Sequence, residues 1–240
     1  MNRKIHLIFL LLCYTCMSFA NQNFEERKKE WVIHANFHYG KVIKHTSKFL
    51  PDIPNNSVMS ELNVGIITGG NKHWHQRFRY PETGFTLIYG DFGNMEVLGR
   101  GVGLFPYISL PLTNGNKYKF EIAIGSGIAY LNQPFNIIDN NTNNVIGSKI
   151  NNVTQLKFLN SFKVKETFYL TAGLAFTHFS NGKVQKPNLG INVLSGNVGL
   201  KFFPNGHPEI EMPDSISFEV VDSNLSLTGC NYGHNDLSLM

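Results

Sequence analysis

Cysteine is almost missing from this chain. Of three cysteines in 240 residues, Cys13 and Cys16 lie in an apolar N-terminal run and only Cys230 lies beyond it. An exported protein built this way holds itself together without an internal disulfide. Long apolar runs are missing too, so no helix is expected to cross a membrane. Helical periodicity is nearly absent, which points away from a helical fold. Strong charge of one sign is also lacking. The formal net charge of +4 is modest and dispersed, which gives no case for a nucleic-acid partner, although a basic rim suits an anionic lipid headgroup.

The N-terminus carries Asn2-Arg3-Lys4, then an apolar run from Ile5 to about Cys16, then Ser18-Phe19-Ala20. Basic start, short apolar middle and small residues at the cleavage positions are the parts of a secretory signal peptide. Residues 1–20 are therefore expected to be removed, with the mature chain starting at Asn21. A lipoprotein anchor on Cys13 or Cys16 is disfavoured because small residues do not precede them. About 220 residues remain, the length of one domain.

What the chain does contain is glycine (22), phenylalanine (19) and tyrosine (9), with apolar and polar residues in alternation. Alternation predicts eight strands, at 31–40, 58–68, 84–91, 98–110, 117–131, 151–162, 167–180 and 190–203. Several reach or pass the roughly ten residues that cross a bilayer at a tilt. In the fifth, Tyr118, Phe120, Ile122, Ile124, Ile128 and Tyr130 share one face, while Lys119, Glu121, Ala123, Gly125, Gly127 and Ala129 share the other. Apolar outside, small or polar inside and aromatic at both rims is the pattern of an outer-membrane strand. The expected fold is an eight-stranded antiparallel up-and-down transmembrane β-barrel. A soluble sandwich would alternate too, but would give the tyrosine rims no purpose.

Such barrels have short periplasmic turns and longer external loops. With both termini periplasmic, the external links are 41–57, 92–97, 132–150 and 181–189, and the periplasmic ones are 69–83, 111–116 and 163–166. The first periplasmic link breaks the rule. Its stretch from Gly70 to Pro81 is long, basic and aromatic, and is expected to anchor at the interface. A His73/His75 metal site there would lack a nearby cysteine or carboxylate.

The seventh strand then runs outward and carries Phe168, Leu170, Ala172, Leu174, Phe176, His178 and Ser180 on its lipid-facing side. On the returning eighth strand Asn192 shares that face with Leu194, Val198 and Leu200. Three polar residues thus interrupt an apolar surface near the outer rim, where unpaired polar groups are costly. A serine activated by a histidine base is one explanation, in which His178 takes the proton of Ser180 and Ser180 attacks an acyl ester. The other is that the strand has already left the hydrocarbon at His178. The faces alone do not choose between them.

At these residues, in the order His178-x-Ser180-Asn181, Pro187-Asn188-x-Gly190-Ile191 and the last strand, the sequence resembles the outer-membrane lipid A deacylases of the PagL type and their acyloxyacyl hydrolase relatives. The resemblance is strongest over about 174–202. It implies an eight-stranded barrel that hydrolyses the ester-linked 3-position acyl chain of lipid A, using a serine, a histidine and an acidic residue on the lipid-facing side. Carried over by motif, His178 is the base and Ser180 the nucleophile. Asn181, with a backbone amide near Gly182, is expected to stabilise the oxyanion, while Asn188 and Gly190 shape the loop beside the site.

The departure is Asn192, which stands where the family's prototype has a glutamate. An amide accepts a hydrogen bond from imidazole and orients it, but does not stabilise imidazolium by charge. This leaves a slower enzyme, an enzyme with an acid recruited from elsewhere, or a non-catalytic barrel with a structural or lipid-binding role. The enzyme is favoured because His178, Ser180 and Asn181 occur together. The resemblance implies no cofactor and no metal, and lipopolysaccharide of the outer leaflet as the partner. A homodimer is left open, because a second barrel would occlude a lipid-facing site. Residues 204–240 read as a loose periplasmic tail in which 215–221 has strand character.

Overall fold

A computed structural model describes residues 30–207 apart from 114 and 116. The expected signal peptide and the tail beyond 207, with its possible strand at 215–221, lie outside the described residues. Within them the chain forms eight strands: β1 (Glu30–Val42), β2 (Ser57–Ile67), β3 (Glu82–Asp91), β4 (Arg100–Pro111), β5 (Tyr118–Leu131), β6 (Ile150–Lys165), β7 (Phe168–Ser180) and β8 (Ile191–Phe202). Each pairs antiparallel with its sequence neighbours, and β8 returns to β1, from Ile33↔Phe202 to Val42↔Val193. The eight predicted strands are all present, as a closed barrel with no unpaired sheet edge.

The barrel's two surfaces follow from the period-two alternation. Trp31, Phe85, Leu104, Ile128, Leu174 and Val198 stand outward, each more than half exposed. The interior is packed in layers. Toward the external end Phe92, Leu98, Phe105, Leu131, Val153, Phe179 and Ile191 form an apolar cluster with Phe49, Ile53 and Ile146 from the loops. At mid-height the filling is polar. Glu61 accepts from Lys157, from Asn36 and Asn63 (3.1 and 2.7 Å) and from His38 (3.1 Å). Nearer the periplasm Lys201 lies between Glu82 and Glu121 at 3.1 and 2.9 Å. Val32, Ile67, Tyr80, Tyr169 and Phe203 close that end. Buried charges persist here because each is matched and hydrogen-bonded.

Two local features differ from the alternation pattern. Strand β6 runs on to Lys165, shortening the expected 163–166 link to residues 166–167. Lys163 donates its N–H to the Lys117 carbonyl at 2.9 Å, and its ammonium pairs with Glu166 at 2.6 Å. A lysine run at the rim stays in the ladder because its side chains reach water. The basic, aromatic link contains a short helix, α1 (His73–Arg77). His75 is buried against Trp74, with ring centroids 4.2 Å apart, while His73 is exposed. Among the described residues no group of His, Cys, Asp or Glu is arranged to hold a metal ion.

Candidate active site on the outer wall

His178 and Asn192 are direct register partners across β7 and β8. Both point outward, so their Cβ atoms fall at the close spacing that lets cross-strand side chains meet. The contact is a hydrogen bond of 2.6 Å between His178 Nδ1 and Asn192 Oδ1. An amide oxygen only accepts, so the ring proton lies on Nδ1 and leaves Nε2 with a free lone pair. Among the described residues neither His178 nor its neighbours in this chain of contacts is bonded to a carboxylate. No acid recruited from elsewhere, one of the three expectations for Asn192, is seen at this pair among the described residues.

Ser180 sits two residues on, just past the last β7–β8 register pair, Phe179↔Ile191. The chain turns there, with Gly182 at φ +65° and Lys183 at φ +65°. The turn aims the Gly182 N–H back at Ser180 Oγ, 3.2 Å away. Asn188 Nδ2 donates to the same oxygen at 2.9 Å. The orientation of that amide is fixed, since its oxygen accepts the backbone N–H of Asn181 at 3.1 Å. Ser180 Oγ thus accepts twice, and its own proton remains to be donated. No hydrogen bond joins it to His178 among the described residues. In a substrate-free esterase this contact is commonly long and tightens on binding.

The remaining expected residues take different parts. Asn181 is buried, and its side-chain amide donates to Ser148 Oγ (3.0 Å) and to the Gln185 carbonyl (2.8 Å). It therefore fastens the loop, and the side-chain donor to Ser180 Oγ is Asn188. Gly190 has φ +84°, and a Cβ built there would lie 2.8 Å from His178 Cε1. Only glycine lets the backbone pass under the imidazole at this point.

The loops that hold these residues are tied to one another. Asn188 forms a β-bridge with Ile146, and the Gly190 N–H donates to the Val145 carbonyl at 3.0 Å. Asn144 reaches from the same loop to the backbone of Lys48 and Leu50, accepting from the latter at 3.1 Å. From that first loop comes a residue that strand alternation did not mark. His45 Nδ1 lies 3.0 Å from Asn192 Nδ2. Its position in a long link gave no periodic signal; the register of β1 against β8 brings it here, with the Ile43 N–H donating to the Asn192 carbonyl at 2.8 Å.

The chain as a whole has similar proteins. A model of the family described as lipid A 3-O-deacylase (PagL) matches residues 60–201, more than half of the chain. Among solved structures, the outer-membrane enzyme PagL is similar at 14% identity and TM-score 0.50, over 69% of this chain and 97% of that one. Neisserial surface protein A (NspA) follows at 9% identity and TM-score 0.49, over 73% and 99% of the two chains. The N-terminal β-barrel domain of Pseudomonas aeruginosa OprF follows at 10% identity and TM-score 0.39, over 73% and 100%. No curated protein sequence matches. At 14% identity the likeness to the PagL structure shows the barrel fold alone.

Proposed function

The chain belongs to the lipid A 3-O-deacylase (PagL) family of outer-membrane hydrolases, and from that premise we propose that it removes the ester-linked 3-position acyl chain of lipid A with Ser180 as nucleophile. The observation that carries the serine mechanism is the pair of contacts at its two ends: Asn192 holding the Nδ1–H of His178, and Asn188 with the Gly182 N–H converging on Ser180 Oγ. Substrate is proposed to be lipid A in the outer leaflet, reached across the barrel's apolar outer face. The comparisons lend no support to a homodimer.

The chemistry follows from this geometry. Ser180 donates its proton to His178 Nε2 as Oγ bonds to the acyl carbonyl carbon. The carbonyl oxygen becomes an oxyanion, which takes over the Gly182 N–H and Asn188 Nδ2, the two donors that point at Oγ before substrate binds. Collapse breaks the ester bond to the sugar oxygen, which takes the proton from His178. Water then attacks the acyl-serine carbonyl, giving up its proton to His178; collapse breaks the acyl–Oγ bond, Ser180 Oγ takes that proton back from His178, and the fatty acid leaves. Asn192 holds the Nδ1–H throughout, so that Nε2 is the nitrogen that gains and loses the proton. Being neutral, it does not lower the energy of imidazolium by charge, so turnover is expected to be modest.

The test is mass spectrometry of lipid A from a lipopolysaccharide-bearing host expressing the wild type or Ser180→Ala. Loss of one acyl chain, assigned to the 3-position by fragmentation, is expected with the wild type and not with the variant. An unchanged lipid A profile despite well-inserted wild-type protein would instead support the non-catalytic barrel.

A further inference from the structure

We infer that His45 is a positioning residue, which keeps the Asn192 amide turned with its oxygen toward His178; the inference rests on the serine-hydrolase reading above. An amide has two ends of nearly the same size, and rotation by half a turn exchanges an acceptor for a donor. In the arrangement present, Oδ1 accepts from His178 Nδ1 at 2.6 Å and Nδ2 donates to His45 Nδ1 at 3.0 Å. Turned the other way, Nδ2 would donate to His178 and move the ring proton to Nε2, the atom that has to receive the proton of Ser180. A carboxylate in the same place has no wrong way round. Asn192 therefore needs a second partner to choose its orientation, and His45 supplies it by presenting an unprotonated Nδ1.

The position of His45 is built rather than incidental. The Ile43 N–H holds the chain to the Asn192 carbonyl two residues earlier, and the His45 ring stands edge-on to the buried Phe49, with centroids 6.3 Å apart. Asn144 ties the same loop to the one that carries Val145 and Ile146. A side chain 147 residues from Asn192 in sequence thus sets the tautomer of the base by way of Asn192.

The experiment uses the purified full-length protein in detergent, with His45→Ala and His45→Asn made alone and combined with Asn192→Glu. Deacylation is measured along with the 15N spectrum of labelled histidine, which reports which ring nitrogen of His178 carries the proton. His45→Ala is expected to lower turnover by about tenfold to a hundredfold, the range in which partners that orient a histidine act. It should also shift part of the His178 population to the Nε2–H form. His45→Asn presents an oxygen near the place of Nδ1 and is expected to stay within a few-fold of wild type. In the Asn192→Glu background His45→Ala is expected to change little. Wild-type turnover and an unchanged tautomer in His45→Ala would overturn the inference, and so would an equal loss in the Asn192→Glu background. If Ser180→Ala proves as active as wild type, the serine mechanism fails by itself, while the tautomer spectrum still judges the His45 contact.

Discussion

Asn188 is the residue whose chemistry is most sharply defined by its surroundings. Its oxygen is committed to the Asn181 N–H and its nitrogen to Ser180 Oγ, so replacing it removes a donor without freeing an acceptor. Asn188→Ala is expected to lower kcat by about 10²- to 10³-fold with little change in KM, the loss seen when one oxyanion donor is removed; steady-state kinetics on lipid A in micelles would show it. A drop in KM-limited uptake with kcat intact would assign Asn188 to binding. That His178 and Ser180 share the outer face was legible from strand parity alone, because a two-residue step returns to the same face. That Asn188 and not Asn181 contacts Ser180 Oγ was not legible. Both are asparagines in one loop, and only the left-handed turn at Gly182 and Lys183 decides which amide faces the nucleophile.

At the scale of elements, the eight strands were readable because one face of each meets hydrocarbon and the other a packed interior, which forces alternation from rim to rim. The signal fades where that contrast ends. Lysines at 163 and 165 read as a turn, yet their backbone continues the ladder, and the short helix α1 carries too few residues to show a period. His45 escaped notice for the same reason, since loop residues are placed by their partners and not by a repeat. The loop after β7 offers a direct check. Gly190→Ala adds a methyl that meets His178 Cε1 at 2.8 Å on a backbone at φ +84°, so activity is expected to fall at least tenfold. The strain is on the order of 1–3 kcal/mol, small enough that the variant should still show the heat-dependent gel mobility of a folded barrel. Full activity in a folded Gly190→Ala protein would mean that the imidazole does not need its present seat.

For the molecule as a whole, stability depends on the charges inside the barrel as much as on its apolar layers. Glu61 is fully enclosed and matched by Lys157 and His38. Lys157→Ala leaves that carboxylate short of its cation, and a loss of about 3–5 kcal/mol is expected, measurable by urea unfolding in lipid vesicles. Converting both partners together, as Glu61→Gln with Lys157→Met, should recover much of that loss, since no unmatched charge is left behind. The site lies on the opposite surface of the wall from this network, so the double variant is expected to keep its activity.

The filled interior also bears on the road a substrate would travel under the proposed function. Among the described residues apolar layers at both ends and ion pairs between them fill the barrel axis, so under the proposed function lipid A would reach Ser180 sideways, from the leaflet. Encounter is then a two-dimensional event, governed by how crowded the surface is with substrate and not by how much is in the tube. Diluting lipid A with inert detergent at fixed bulk concentration should slow hydrolysis in proportion to the falling surface mole fraction. Both the shortened glycolipid and the released fatty acid would leave by the same lateral route, so accumulation of fatty acid in the surrounding surface is expected to inhibit the enzyme.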